Sequence, residues 1–477
     1  MHLSLKHRLS YGSGGAVYAV KEAAYSMFVL FFYTQVLGLG GTATGFVLFL
    51  GLIWDAISDP LMGSWTDRFK SRWGRRHPFM VTSTVPLALG FIALFNPPQW
   101  ALDNSTILAG WLLFCSIWIR TAVTVFALPH MALAAEMTRD YLERSRLLGM
   151  RVGFLFLTST LLPALSMTLL FGEVDGEDGR FNAANYIDYG WWSAAVVVVG
   201  AIICVWGTRR FIPATRIAPQ RMPTGSNPAS LMRDFVLMFR NMNFRNLLFY
   251  DLAASASSGI TLTLNTLLWT FYWELSADQI ALVMGVPLLV GMPLALSALG
   301  PLGRRLSKDR ILFYALLVML LDLTWPYLLR WFELIPDNGN NTIVALLFVQ
   351  NFIFLVAYTL RVVAGYSITA DITDEHEAEH GTRQEGGLYS AVAFTTKLAA
   401  AAGPLYGGIA LDTIGLTEGI MPGEASQGML NGLMWAVAIG VIPLMLIACY
   451  FAARVSMTAS HLQQIQQKID ARHAQAN

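Results

Sequence analysis

Charge is what this chain has least of. Only 13% of its 477 residues are Asp, Glu, Lys or Arg, against about 25% in an ordinary soluble protein, while 55% are hydrophobic. A water-soluble enzyme of this length could not bury so much apolar surface, and disorder, collagen or a long coiled coil would each need a different composition. Cysteine is scarcer still. Cys115, Cys204 and Cys449 each lie inside an apolar run, which argues against disulfides and a zinc site. An excess of one sign of charge is also missing, the formal net charge being +1, so nucleic acid is not an expected partner. What is abundant is apolar bulk, including 28 Phe and 14 Trp, and a lipid bilayer is the solvent that accommodates it.

A helix needs about 20 residues to cross a hydrocarbon core of about 30 Å. Runs of that kind recur at 14-36, 43-66, 78-95, 106-134, 147-171, 190-208, 246-273, 279-301, 311-331, 342-368, 386-411 and 428-453. The first is expected to be retained: Lys6, His7 and Arg8 lead through Gly12–Gly15 into a full-length span that carries charges, unlike a cleaved signal. Placing the N-terminus in the cytoplasm puts 25 of the 32 Lys and Arg residues in cytoplasmic segments, with Arg180 alone in an outer loop. The positive-inside rule therefore predicts an inner- or plasma-membrane protein with both termini cytoplasmic.

The longest connection, 209-245, is basic and holds Pro213, Pro219, Pro223 and Pro228. It divides the chain into an N-terminal six-helix bundle (1-208) and a C-terminal one (246-453), followed by a cytoplasmic tail (454-477). Related basic turns follow the second span (Gly63 to Arg68, then Arg72-Trp73-Gly74-Arg75-Arg76) and the eighth (Gly300 to Arg305). This six-plus-six pattern resembles the major facilitator superfamily, in which two bundles rock about a midplane site. The expected fold is an all-α membrane protein with twelve transmembrane helices in two six-helix bundles.

Ionisable groups inside the spans are costly, about 2.5 to 3.5 kcal/mol each on insertion scales unless partnered or hydrated. The chain keeps Lys21, Glu22, Asp55, Asp59, Arg120, Arg151, Asp251, Asp322, Arg361 and Lys397 in its spans. Most should converge on a polar interior. Trp54-Asp55-Ala56-Ile57-Ser58-Asp59-Pro60 carries the strongest signal. Two carboxylates at i and i+4 share one helix face, about 6 Å apart at Cβ, and repel each other unless a cation or proton intervenes. Ser58 can add a hydroxyl, and Pro60 frees the carbonyl of Ala56. The alternative is a pair of structural salt bridges to Arg120 or Arg151. Lys397, amid Ala391 to Ala402, has no local acid and must reach a carboxylate or an anionic substrate across the bundle.

Leu9-Ser10-Tyr11-Gly12, Tyr33 to Leu39, Trp54 to Pro60, Arg72-Trp73-Gly74 and Lys397 together resemble the glycoside-pentoside-hexuronide:cation symporters, the melibiose-permease-like family, over nearly the whole chain. The resemblance implies that Asp55 and Asp59 coordinate Na⁺, or take H⁺, with help from Thr124. It also implies that Arg151 and Lys397 lie close to cation and substrate. The chain departs from the family at Ala19 and Ala127, where sugar-transporting members carry aspartates, and at Met131 in place of an aromatic residue. Glu22 could replace the missing acid, or simply pair with Lys21 or Arg151. Arg120, one turn before Thr124, could reach Asp55 or Asp59 as a tethered cation. Gly14 to Tyr18 and His380-Gly381-Thr382 resemble the sodium-dependent lysolipid symporters instead, while Arg383 to Gly386 is closer to the sugar-type pattern.

The acidic loop Asp371 to His380 is expected to be solvated, with Asp374 or Glu375 latched to the basic turns around Asp67 and Arg68; His376 and His380 as metal ligands are the lesser reading. The acidic outer loop Glu173 to Asp178 is also expected to be solvated. The function expected is a secondary active transporter that couples uptake of a solute, sugar-like or lysophospholipid-like, to a cation, Na⁺ before H⁺. The cation would sit on Asp55, Asp59, Ser58 and Thr124. Lys397, Arg151, Glu22, Tyr18 and Arg120 would handle substrate and coupling, and Asp67, Arg68 and Asp374 gating. Tyr25, Trp269, Tyr358 and Tyr389 are further candidates for the cavity wall. No cofactor, no metal and a monomer in the bilayer are expected. Proton coupling or uniport with Arg120 as the tethered cation is the alternative, and a non-transporting receptor or scaffold is the alternative of another class. An intramembrane enzyme is not expected, because His130, the best buried histidine, has no evident catalytic partners.

Overall fold

The computed structural model describes residues 3–69, 71–138, 140–215, 239–380 and 385–457, with 465 and 467. The middle of the expected linker, most of the tail, Arg383, and the side chains of Asp67, His376, His380 and Tyr389 lie outside the described residues.

Long helices dominate. They are α1 (Leu5–Val36), α2 (Gly41–Arg68), α3 (His77–Phe95), α4 (Ser105–Met137), α5 (Tyr141–Leu169) and α6 (Ala183–Thr208). After the linker come α7 (Met242–Tyr272), α8 (Ala277–Gly303), α9 (Lys308–Trp331), α10 (Asn341–His380), α11 (Glu385–Ile414) and α12 (Gln427–Ala452). Among the described residues eleven are long and apolar enough to cross a membrane. The twelfth expected span falls on α11, a helix of 30 residues. Helices suit this environment because they satisfy every backbone N–H and C=O within the segment.

Polar side chains set several of the starts. Asn104 accepts from the N–H groups of Thr106 and Ile107 ahead of α4, and Asp140 from those of Leu142 and Glu143 ahead of α5, satisfying donors that have no partner inside the helix. α1 is not uniform: it passes through π-helical turns at Ala24–Phe28 and Phe32–Val36, a distortion frequent at functional sites. The outer loop forms a two-stranded hairpin, Glu173–Val174 with Glu177–Asp178. Just beyond it Arg180 is 4% exposed, paired with Asp178 at 2.5 Å and donating to the Thr270 hydroxyl at 2.8 Å. Glu173, Asp175 and Glu177 are exposed as expected, but Asp178 is drawn into an ion pair and the one outer-loop arginine is buried, which its position in a polar loop had hidden.

The chain divides into two compact units. The first holds residues 1–220, 262–285 and 404–433, so it contains α1 to α6 with the end of α7, the start of α8, the end of α11 and the start of α12. Here small residues permit close backbone approach: a Cβ at Gly15 would meet the Arg151 carbonyl oxygen of α5 at 2.2 Å, and one at Gly45 the Pro404 carbonyl of α11 at 2.2 Å. The Asp412 carboxylate accepts from the N–H groups of Gly41 and Thr42, at 2.7 and 2.8 Å, where α2 begins. The second unit holds residues 221–261, 286–403 and 434–477. In it Lys308 pairs with Asp371 at 2.7 Å, and Asn241 and Asn243 donate to the Glu375 carboxylate.

Candidate functional site

The acidic pair of α2 is built into the first unit against α4. These helices meet in a shared register: Arg120 lies opposite Asp55 and Thr124 opposite Asp59. The i, i+4 pair of one helix thus meets an i, i+4 pair of the other. Asp55 is 4% exposed and receives two cations. Arg120 donates from Nη1 to its Oδ2, and Lys21 Nζ of α1 lies 3.4 Å from the same oxygen. Lys21 is shared, bridging Glu22 Oε1 at 2.9 Å. Two aromatic faces complete the cationic side, with Lys21 Nζ 4.7 Å from the Tyr18 ring centroid and Arg120 Cζ 4.7 Å from that of Tyr25. Gly51 makes the room: a Cβ there would stand 2.8 Å from Arg120 Nε.

Asp59 is held differently. Its Oδ1 accepts from the Thr124 hydroxyl at 2.8 Å. The Ser58 hydroxyl faces the carbonyl of Asp55 at 3.4 Å. The cluster thus gathers three acids (Glu22, Asp55, Asp59) about Lys21 and Arg120. Carboxylates one helical turn apart repel each other, and a monovalent cation or a proton relieves that repulsion.

Some expectations need correction. Arg120 is not turned away from the acids but bonded to Asp55, because α4 packs at the level where Gly51 clears a path. Glu22 pairs with Lys21 rather than Arg151. Among the described residues Arg151 makes no ion pair, and its Nε has no hydrogen-bond partner. Lys397 and Asp374 are half-buried in the second unit, on α11 and α10, and Arg68 is exposed. His130 is structural: its Nε2 meets the Tyr11 carbonyl oxygen at 2.8 Å and its ring packs on Tyr11.

Reading the sequence also passed over groups the structure brings together. Lys21 belongs to the Asp55 site, a role its adjacency to Glu22 obscured. Glu136 holds Arg75 at 2.9 Å and Arg76 at 2.8 Å, and Arg76 also donates to Thr66 at 3.1 Å. Glu143, 1% exposed at its side chain, binds Arg8 and Arg146. Nothing local marks Glu136 as the partner of Arg75 and Arg76, or Glu143 as the partner of Arg8, so far away along the chain; Arg146, three residues from Glu143, is at ordinary helical spacing.

Comparison with known proteins places this geometry in a family. The model for MFS/sugar transport proteins matches residues 10–459. An uncharacterized symporter of Synechocystis sp. is 26% identical, covering 93% of this chain and 91% of its own length. A putative glycoside/cation symporter of Escherichia coli is 25% identical over 84% of this chain and 81% of its own. The sodium-dependent lysophosphatidylcholine symporter 1 of Gallus gallus is 28% identical over 37% of this chain and 32% of its own. In fold the chain is similar to the nucleoside transporter NupG, with a TM-score of 0.64 at 12% identity over 95% of this chain and all of that one. It is equally similar to the peptide transporter POT, with a TM-score of 0.64 at 14% identity over 94% of each chain. The family and these relatives are transporters, not enzymes. The chain belongs to the MFS/sugar transport protein family of the major facilitator superfamily, and it is an integral membrane transporter.

Proposed function

We propose that the chain is a cation-coupled symporter that admits one monovalent cation to the cluster of Glu22, Asp55 and Asp59 and uses its gradient to accumulate a small or amphiphilic solute. The observation that carries this reading is the pair of carboxylates one helical turn apart on α2, Asp55 buried and Asp59 accepting from the Thr124 hydroxyl at 2.8 Å. The glycoside/cation and sodium-dependent lysophosphatidylcholine symporters among its relatives support it. Na⁺ is the ion of first choice, bound through Asp59 and Thr124 with Asp55 completing the shell once a base withdraws, and Ser58 adjacent. The contact of Arg120 with Asp55 favours a second reading, in which the guanidinium occupies the place of a metal ion and a proton on Asp59 is the coupling charge.

Coupling follows from charge. A cation on the carboxylates changes the charge of the cluster, so occupancy changes the affinity for solute and, by linkage, solute changes the affinity for the cation. Tyr18, Arg151 and Lys397 would face the solute. With both termini in the cytoplasm, as the positive-inside rule predicts, the bonds from Gly41 and Thr42 to Asp412 would lie at the outer ends of α2 and α11 and would open when the carrier faces outward. Arg68, Asp67 and Asp374 are proposed for the opposite gate.

The test is uptake into proteoliposomes of the full chain with an imposed Na⁺ gradient, an imposed H⁺ gradient, or neither. Gradient-driven accumulation that disappears in Asp59→Asn supports the reading. Equal accumulation without any gradient points to uniport and removes the coupling role of the cluster.

A further inference from the structure

The second unit holds a pocket unlike the acidic cluster. It has a volume of about 130 Å³ and lies between α7, α10 and α11. For scale, an engineered cavity of about 150 Å³ accepts benzene, so this space takes one functional group with a short stem or a single small ring. Its centre is Arg361 on α10, 5% exposed. The guanidinium lies 5.1 Å from the Tyr358 ring centroid and 6.0 Å from that of Tyr250, and Tyr366 closes another wall. Gly365 spares the space of the Tyr250 hydroxyl, which a Cβ would meet at 3.2 Å.

Two donors of Arg361, Nε and Nη1, are buried and have no hydrogen-bond partner. Among the described residues no carboxylate bridges them. The nearest candidate, Asp251 on α7, lines the same pocket but accepts from the Thr396 hydroxyl of α11 instead. Aromatic faces offset part of the cost of a buried guanidinium, and the Tyr358 hydroxyl bonds to it, but Nε and Nη1 remain without an acceptor. Unmet donors of this kind are expensive, and Nε–H and Nη1–H, on different edges of the planar group, can each meet an oxygen of a carboxylate, phosphate or sulfonate. Asp251 beside them is an acceptor for hydroxyl donors.

We propose that this pocket is a substrate subsite for a hydroxylated organic oxyanion, with Arg361 binding the anionic group, Asp251 and Thr396 its hydroxyls, and Tyr250, Tyr358 and Tyr366 the carbon skeleton between. The inference rests on the reading of the chain as a solute carrier and adds the chemistry of the solute. An acidic sugar and an anionic lysolipid headgroup share that chemistry and are separated by experiment.

Binding to the full-length protein in nanodiscs, measured by calorimetry without any gradient, tests it. Methyl β-D-glucuronide is compared with neutral methyl β-D-glucoside, and lysophosphatidylglycerol with neutral monoacylglycerol, which lacks the phosphate. The anionic member of at least one pair should bind about tenfold or more tightly than its counterpart, the worth of a charged hydrogen-bonded contact. The pair that discriminates names the source. Arg361→Gln should abolish the preference, and Arg361→Lys should keep part of it, since a point charge remains but the planar set of donors is lost. Equal affinities within both pairs for the unaltered protein overturn the proposal without recourse to any variant, as does a preference that survives Arg361→Gln in a folded protein. Coupling is judged separately. Arg361-dependent binding without gradient-driven uptake would retain the subsite and reject symport, whereas gradient-driven uptake of neutral solutes alone would do the reverse.

Discussion

The cluster around Asp55 and the pocket around Arg361 solve the problem of buried charge in opposite ways. In the first unit two acids lie one helical turn apart, and Asp55 is approached by two cations at once. In the second a base is surrounded by tyrosine faces, and two of its donors are left without acceptors although a carboxylate lines the same pocket. One site is built from carboxylates and a hydroxyl, the chemistry of a cation site; the other offers open N–H donors, the chemistry of an anion site.

The largest expected effect falls on the acidic side. Asp59→Asn should leave the fold intact and remove cation stimulation of uptake altogether, measured in proteoliposomes; persistence of that stimulation would place the coupling charge elsewhere. Asp55→Ala tests stability as well as coupling. It strips Lys21 and Arg120 of their common partner, and leaving a buried charge unpaired costs about 3 to 5 kcal/mol. Its thermal melt should shift far down, and adding Arg120→Ala should restore part of the loss. Additive losses would mean that Arg120 and Asp55 do not interact energetically.

A smaller effect separates the two candidate coupling ions. Arg120→Gln removes the tethered cation from Asp55, so Na⁺ should activate at several-fold lower concentration. Unaltered Na⁺ activation in that variant would show that the guanidinium never competes for the site. The smallest effect expected is at the exposed end of the Glu143 network. Arg146 is 53% exposed at its side chain, and Arg146→Ala should cost about 0.5 kcal/mol. Arg8→Ala, whose partner contact is less exposed, should cost more in the same melt.

Much of the fold was legible because crossing a bilayer is a local requirement. Each span reveals itself through some twenty consecutive residues, and the basic turns set a topology without reference to any contact. The acidic pair was legible for the same reason, since Asp55 and Asp59 share a face through helix periodicity alone. The pairing of Arg120 with Asp55 was visible only as one of several possibilities, because it depends on how α4 slides along α2. Glu136 and the Thr270 contact of Arg180 had even less to mark them, being set by packing between distant segments.

The sequence by itself therefore determined which residues enter the membrane and which of them carry charge, because hydropathy and periodicity act within a single helix. Tertiary structure alone decided which charge meets which. The register of α4 on α2 put a guanidinium on Asp55 and a hydroxyl on Asp59, and the packing of α7, α10 and α11 left Arg361 with open donors. The first of those outcomes depends on the gap at Gly51, where a single absent Cβ gives Arg120 room to reach Asp55.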